Sequence, residues 1–278
     1  MSTLGIVAGG GDLPRAVAQS ACDAGRSVFI VALQGQADAD LAAFPHQWAG
    51  LGEAGKLFNL LRAHHCDDVL FAGRVARPNF SDLKPDGKGL LLLPRIVAAA
   101  RKGDDALLRA LADMLADEGF RPVAITEAAP GLLAPTGVLG RLSPNSEHQS
   151  DIAQATQVVR RLGELDVGQA TAVCAGLVLA VEAAEGTDAM LARIAGLPAV
   201  IRGDRTNRRG VLVKALKPLQ DGKTDLPVIG VATVHKAAEA GLAGIAIEAG
   251  RTLILDRAAV VAAADHYGMF VVGFAPLS

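Results

Sequence analysis

Three carboxylates and a hydroxyl fall within seven residues in Glu182-Ala183-Ala184-Glu185-Gly186-Thr187-Asp188. The stretch follows an apolar run and opens a helical pattern, which places it at the rim of a sheet. Oxygen ligands gathered in this way suit a hard divalent cation. Glu182 and Asp188 are the metal-ligand candidates here, with Glu185 and Asp188 as catalytic candidates and Thr187 as a hydrogen-bond donor to substrate. The plainer alternative is a capped helix start, with Thr187 or Asp188 as the cap and the glutamates in water.

A second group begins at Lys214, which closes an apolar run. A polar loop then passes Lys217, Asp221, Lys223 and Thr224 before Asp225-Leu226-Pro227 returns the chain to apolar residues. Lysines neutralise phosphate oxygens, and an aspartate binds Mg²⁺ or activates water. Asp221-Gly222 reads as an ordinary hairpin turn. Asp225 is different, because Leu226, Pro227 and the next strand pattern hem it in. A carboxylate so placed needs a partner or a shifted pKa. Asp225 is therefore the expected central carboxylate, with Lys214 and Lys223 on phosphate oxygens and Thr224 as a further donor.

A third group is an anion seat of another kind. Leu4-Gly5-Ile6-Val7-Ala8 reads as a buried strand, followed at once by Gly9-Gly10-Gly11 and a helix start at Asp12-Leu13-Pro14-Arg15. Glycine lets backbone approach a phosphate, and free N–H groups of a first helical turn point at it. Asp12 is expected to cap the helix and Pro14 fits its first turn. The dinucleotide fingerprint is absent, and no Gly-Lys-Ser/Thr follows, so the turn is no P-loop. Ala72-Gly73-Arg74 ends another strand pattern, and Arg74 with Arg77 can clamp a diphosphate. Gly10, Gly11, Asp12, Gly73 and Arg74 form the candidate nucleotide side. The basic turn 202–209 reads as a solvated hairpin, and His64-His65-Cys66 as a helix end rather than a metal site. Neither G-x-S-x-G nor H-E-x-x-H occurs, so serine-nucleophile and zincin chemistry have no support.

The elements that must carry these groups alternate. Strand patterns at 4–8, 27–33, 69–72 and 122–125 interleave with helix patterns at 13–24, 53–65 and 104–118. Such alternation means an α/β fold with a parallel sheet, which binds ligands at the carboxyl ends of its strands. Residues 129–146 hold three prolines and several glycines and read as a linker. The second half then carries a helix at 151–162, a strand or strand pair at 172–181 and a helix at 187–195. Short strands follow at 200–202, 211–215, 228–231, 245–247, 253–255 and 270–272, with helices at 235–240 and from a cap at Asp256 to Gly268. The most lipophilic run, Gly89-Leu90-Leu91-Leu92-Leu93-Pro94-Arg95-Ile96-Val97, reads as the start of a buried helix in preference to a membrane or acyl-chain contact.

Composition narrows the classes further. A formal net charge of −2 and 4% aromatic residues argue against nucleic acid as a partner. Three scattered cysteines without C-x-x-C spacing fit a reducing cytoplasm and oppose a disulfide framework. No signal-peptide pattern and no apolar run of about 18 residues is present, so neither export nor a membrane span is expected.

Taken together, Gly5-Ile6-Val7-Ala8-Gly9-Gly10-Gly11-Asp12-Leu13-Pro14, Glu185-Gly186-Thr187-Asp188 and the stretch from Gln220-Asp221 through Thr224-Asp225-Leu226-Pro227-Val228-Ile229-Gly230 resemble the UDP-2,3-diacylglucosamine pyrophosphatase family of lipid A biosynthesis, the type unrelated to calcineurin-like metallophosphoesterases. The resemblance covers nearly the whole chain. It implies Mg²⁺-dependent hydrolysis of the diacylated UDP-sugar to 2,3-diacylglucosamine 1-phosphate and UMP. It further implies a Rossmann-like nucleotide-binding domain over 1–134, a linker over 135–146 and a distinct α/β catalytic domain over 147–278. A homodimer is implied too, cytoplasmic and in peripheral contact with the inner face of the cytoplasmic membrane. A nicotinamide oxidoreductase fits poorly, because no acidic residue closes the strand ending Val31-Ala32-Leu33-Gln34-Gly35. A non-catalytic nucleotide sensor is the remaining alternative.

Overall fold

A computed structural model describes residues 3–76, 79, 83–217 and 226–276. The chain divides into two compact units, Met1–Gly131 and Leu132–Ser278.

In the first unit, strands β1 (Thr3–Ala8), β2 (Val28–Leu33), β3 (His46–Ala49), β4 (Cys66–Ala72) and β5 (Arg121–Pro122) form one sheet in the order β3-β2-β1-β4-β5. Every neighbouring pair is parallel. The helices are α1 (Leu13–Asp23), α2 (Ala54–Ala63), α3 (Gly87–Ala100), α4 (Asp104–Asp117) and the single turn α5 (Ile125–Ala128). All six residues of β2 are buried, as expected of a central parallel strand covered on both faces. One core gathers Val7, Phe29 and Val31 with Phe58, Leu61, Leu115 and Phe120. Strand order reverses between β1 and β4, so the crevice of this doubly wound unit opens at the carboxyl ends of those two strands.

The Rossmann-like expectation holds, with local corrections. Residues 122–125 were expected as one strand, but only Arg121–Pro122 pairs with β4 before the chain turns into α5. Strand β3 was not expected; it is a half-polar edge strand without clean alternation. Helix α3 is no buried helix, since only Gly89 and Ala100 among its residues are buried.

In the second unit, β6 (Gly137–Val138), β7 (Ala170–Cys174), β8 (Leu177–Val181), β9 (Val211–Lys214), β11 (Gly244–Glu248) and β13 (Phe270–Phe274) form a mixed sheet in the order β6-β13-β11-β9-β7-β8. Strands β9, β11 and β13 run parallel, whereas β7 is antiparallel to both β9 and β8. A two-stranded parallel pair joins β10 (Val228–Ile229) and β12 (Leu253–Ile254). The helices are α6 (Ser146–Glu164), α7 (Gly186–Ala195), α8 (Ala199–Arg202), α9 (Val231–Glu239) and α10 (Arg257–Tyr267). Side chains alternate along the strands, so the sheet has two dry faces. Leu212, Ile245 and Val271 meet α7, α9 and α10 through Met190, Val234 and Val260. Val211, Val213, Ala246 and Phe270 meet α6 through Ala155 and Val159.

Here too the sequence reading needs amendment. Within 135–146, expected as a linker, Gly137–Val138 pairs antiparallel with β13. Residues 200–202 are helical, because a turn begins directly after Pro198 and stops at Gly203 with φ of 89°. Residues 172–181 resolve into the pair β7–β8 across Ala175 and Gly176, at φ of 48° and 77°. The buried carboxylate of Asp151 accepts from both turn amides, at 3.0 and 2.9 Å, and so holds the hairpin. Asp256 caps α10 as expected, accepting from the Ala259 amide at 3.0 Å, and the helix ends at Gly268.

One ion cluster gives the first unit a pH signature. Asp68, on β4, accepts from Nε and Nη2 of Arg121 at 2.7 and 2.8 Å and also pairs with Arg26. Arg121 above all, and then Arg26, holds this carboxyl below the ordinary carboxylate range against the effect of burial. A lowered folded pKa contributes stability that is fully present above the unfolded value of about 4 and is lost as pH falls through the folded value. Asp68→Asn is expected to cost about 2 kcal/mol at pH 7. Urea unfolding at pH 7 and pH 3 checks this: the gap to wild type narrows at pH 3, and a gap independent of pH contradicts it.

Candidate active site

In the first unit, the glycine turn continues the β1–β4 seam past the sheet. The Gly9 amide donates to Ala72 O at 2.8 Å, and Gly10 and Arg74 exchange N–H···O bonds at 2.8 Å each. Only glycine fits this seam. A Cβ on Gly9 would overlap the Arg74 carbonyl, and one on Gly73 would stand 2.8 Å from Gly10 O, with φ of 92° besides. Gly10, Gly11, Gly73 and Arg74 are thus brought together at the strand-order reversal. The exposed Arg74 guanidinium lies over Gly11, its Nε and Nη2 3.8 Å from where a Cβ would be.

Asp12 does not do what was expected. It sits at the N-cap position with helical backbone angles, φ −73° and ψ −13°, and makes no side-chain cap bond. An effective cap has extended backbone that swings its side chain over the first turn. The carboxylate that meets this corner is Asp38, which accepts from the Gly11 amide at 2.6 Å. Asp38 lies five residues beyond β2, too far along the loop for the strand-end rule to have pointed to it. The partner proposed for Arg74, Arg77, lies outside the described residues.

In the second unit, three predicted residues form one hydrogen-bonded chain, buried at Lys214 and Glu182 and half-buried at Thr187. Lys214 ends β9, Glu182 directly follows β8, and Thr187 lies in the first turn of α7. Lys214 Nζ donates to Thr187 Oγ1 at 2.9 Å and to Val228 O at 3.0 Å. The Thr187 hydroxyl donates to Glu182 Oε1 at 2.6 Å, and Glu182 Oε2 accepts from the Gln169 amide at 3.1 Å. Lys214 is 5% exposed and Glu182 6%. Opposite charges so deeply buried persist only when their remaining donors and acceptors are satisfied.

The other two acids of the cluster turn elsewhere. Asp188, more than half exposed, pairs with Lys236 of α9 at 2.7 Å. Glu185 pairs with Arg193 at 2.5 Å. Its carboxyl is lowered first by a hydrogen bond from its own backbone amide and then by Arg193. Among the described residues, no three His, Cys, Asp or Glu side chains gather tightly enough to hold a metal ion.

Asp225, Lys223 and Thr224 lie outside the described residues, as does the rest of 218–225. Both ends of that segment are tied to the strand rim. At the entering end, the Leu216 amide donates to Glu248 Oε2 at 3.0 Å and Ala215 N to Gln169 O at 3.1 Å. At the leaving end, Lys214 holds Val228 O, and Leu253 N donates to Pro227 O at 2.8 Å. Glu248, 2% exposed at the end of β11, was missed by sequence reasoning. Its signal was present: a carboxylate closing Gly244-Ile245-Ala246-Ile247, an unbroken small and apolar strand. Gln169 was missed too. Its Oε1 is buried with no hydrogen-bond partner, beside a backbone already bonded to Glu182 and Ala215. Buried polar atoms are as a rule hydrogen-bonded, so an oxygen without a partner among the described residues marks Gln169 as a polar group the local fold does not itself satisfy. Glu182 and Gln169 therefore supply hard oxygen donors of the kind Mg²⁺ takes.

The fold and these rims define a two-unit α/β protein whose first unit is Rossmann-like. The chain belongs to the LpxI family: residues 3–132 match the LpxI N-terminal domain and residues 135–272 the LpxI C-terminal domain. It is 53% identical over 276 residues to a protein of Caulobacter vibrioides named UDP-2,3-diacylglucosamine pyrophosphatase LpxI, with 99% of each chain covered. Among solved structures, N5-carboxyaminoimidazole ribonucleotide synthetase from Thermotoga maritima matches at 12% identity and a TM-score of 0.25, over 66% of this chain and 42% of that one. A CobK precorrin-6A reductase matches at 11% identity and a TM-score of 0.28, over 100% and 89%. At these TM-scores neither likeness bears on fold or function.

The buried chain yields a direct expectation. Thr187→Val removes the one group that accepts from Lys214 and donates to Glu182, and costs about 1–3 kcal/mol in urea unfolding. Thr187→Ser restores most of it. Equal losses in the two variants contradict the bridging role.

Proposed function

We propose that this chain hydrolyses the pyrophosphate of UDP-2,3-diacylglucosamine to 2,3-diacylglucosamine 1-phosphate and UMP in lipid A biosynthesis. The observation that carries the reading is the 53% identity, over 99% of both chains, to the Caulobacter vibrioides pyrophosphatase. In the reaction, the oxygen of water bonds to one phosphorus as the bond from that phosphorus to the bridging oxygen breaks. The other phosphate leaves with the bridging oxygen, and the proton of water is taken up. Charge neutralisation and an oriented water are what such a step needs.

The division of labour follows from the chemistry of the side chains. Gly10, Gly11, Asp12, Gly73 and Arg74 receive the nucleotide side, with Arg74 as the cation and the Gly11 amide, which Asp38 holds in this structure, as the donor. Lys214 and Lys223 neutralise phosphate oxygens, while Thr187 and Thr224 donate hydrogen bonds. Asp225 orients the water. In sequence it stands three residues before Val228, whose carbonyl Lys214 holds. Asp225, Glu182 and the unpartnered Gln169 Oε1 would hold Mg²⁺, which when bound polarises phosphate and lowers the pKa of water. Asp188 and Glu185 then serve at the edge, each already matched by a cation. The working form is a homodimer in peripheral contact with the inner face of the cytoplasmic membrane. No described helix is long and apolar enough to cross it.

Incubation of the pure chain with the diacylated UDP-sugar is expected to release UMP, and EDTA to abolish the release until Mg²⁺ is restored. Asp225→Ala loses about 10³-fold or more in kcat while retaining substrate binding. Wild-type turnover in that variant removes Asp225 from the mechanism. Binding by wild type without any UMP release identifies a sensor instead.

A further inference from the structure

Helix α3 turns an apolar face away from its own unit. Its inner side is set by close packing: Gly89 and Ala100 are buried, and Leu92 packs on the core of the first unit. A Cβ on Gly89 would overlap the carbonyl of Gly52, so the helix cannot roll. With that rotation set, the next residues point outward. Leu90 is 63% exposed and Leu91 77%, and Pro94 and Ala98 continue the exposed stripe from Leu90 at intervals of four. Exposed leucines side by side on a helix that also has a seated face call for a covering surface.

The charges indicate which surface. Residues 84–102 carry the five cations Lys84, Lys88, Arg95, Arg101 and Lys102 and the single acid Asp86. Asp86 is occupied at the helix start, accepting from the Gly89 amide at 2.7 Å and the Lys56 amide at 3.0 Å. Lys88 pairs with Glu118, and Arg95 with Asp113 and Asp117. Lys84, Arg101 and Lys102 are exposed and form no ion pair among the described residues. A helix with outward leucines and cationic ends lies in the plane of an anionic bilayer, its apolar side chains at the acyl boundary and its cations at the headgroups. At 14 residues α3 is about 21 Å long, too short to span. A second copy of the chain fits this face less well. In two-fold pairing the face would meet its own copy, and its charges left outside ion pairs among the described residues, Lys84, Arg101 and Lys102, are all cations.

We propose that the outer face of α3 docks the chain on an anionic bilayer surface, from which the diacylated substrate is taken. The substrate in this statement rests on the hydrolase reading; the docking face does not.

The test is co-sedimentation of the full chain with vesicles of phosphatidylethanolamine and phosphatidylglycerol. Wild type is expected to bind these and to bind phosphatidylcholine vesicles weakly. Leu90→Gln/Leu91→Gln lowers affinity about tenfold or more. Leu165→Gln, which alters a leucine equally exposed in the other unit, leaves it unchanged. Arg101→Glu/Lys102→Glu weakens binding to the anionic vesicles selectively. Turnover of substrate in detergent micelles is unchanged in all of these variants. Wild-type vesicle binding by Leu90→Gln/Leu91→Gln overturns the proposal. So does a halved mass of that variant by light scattering, which would assign the face to a second copy. Absence of micellar turnover by wild type, with vesicle binding lost only in the α3 variants, supports docking while overturning the hydrolase reading.

Discussion

A lysine and a glutamate that are both nearly buried constrain everything around them. Removed from water, each costs several kcal/mol unless its donors and acceptors are met. Here Thr187 meets both, taking a proton-side contact from Lys214 and giving one to Glu182. The chain forms only if β9 ends at Lys214, β8 ends just before Glu182 and α7 starts just before Thr187. Its existence therefore holds the sheet, the helix start and the return strand β10 in one register, since Lys214 also binds Val228 O. Glu248 adds a second buried anchor by holding Leu216. Together they deliver both ends of 218–225 to the same strand rim.

The first unit solves a related problem without charge burial. Backbone comes so close to backbone at Gly9, Gly10 and Gly73 that side chains are excluded. This seam lies where strand order reverses, with the Arg74 guanidinium over Gly11. Asp38 now accepts from the Gly11 amide, an arrangement in which a carboxylate uses the same donor a phosphate would use. One rim thus carries the Gly11 amide and a cation, and the other carries acids, a lysine and an amide oxygen with no partner among the described residues. Both sets belong to phosphate chemistry.

Much of this was legible in the residues. The glycine turn, the strand ends and the choice of Glu182, Thr187 and Lys214 follow from residue type and position relative to apolar runs. Their connection was not legible, because a hydrogen-bonded chain across three elements leaves no mark on any one of them. Asp12 misled because its identity suits a cap while its backbone is already helical. The leucines of α3 misled for a different reason. Apolar residues imply burial only if the helix can roll, and Gly89 against Gly52 prevents that. Val200 and Ile201 looked like strand, but Pro198 starts a turn that the local β propensity cannot override.

In the proposed mechanism Asp225 completes an oxygen site whose fixed donors are Glu182 and Gln169, with Glu182 tied through Thr187 to Lys214. Replacing Mg²⁺ by Mn²⁺ makes the ion visible through paramagnetic broadening of backbone amide resonances. Strong broadening is expected at Gln169, Glu182 and Thr187 in wild type, and its loss in Asp225→Ala. Sharp resonances at those residues in wild type, or equal broadening in Asp225→Ala, would contradict it.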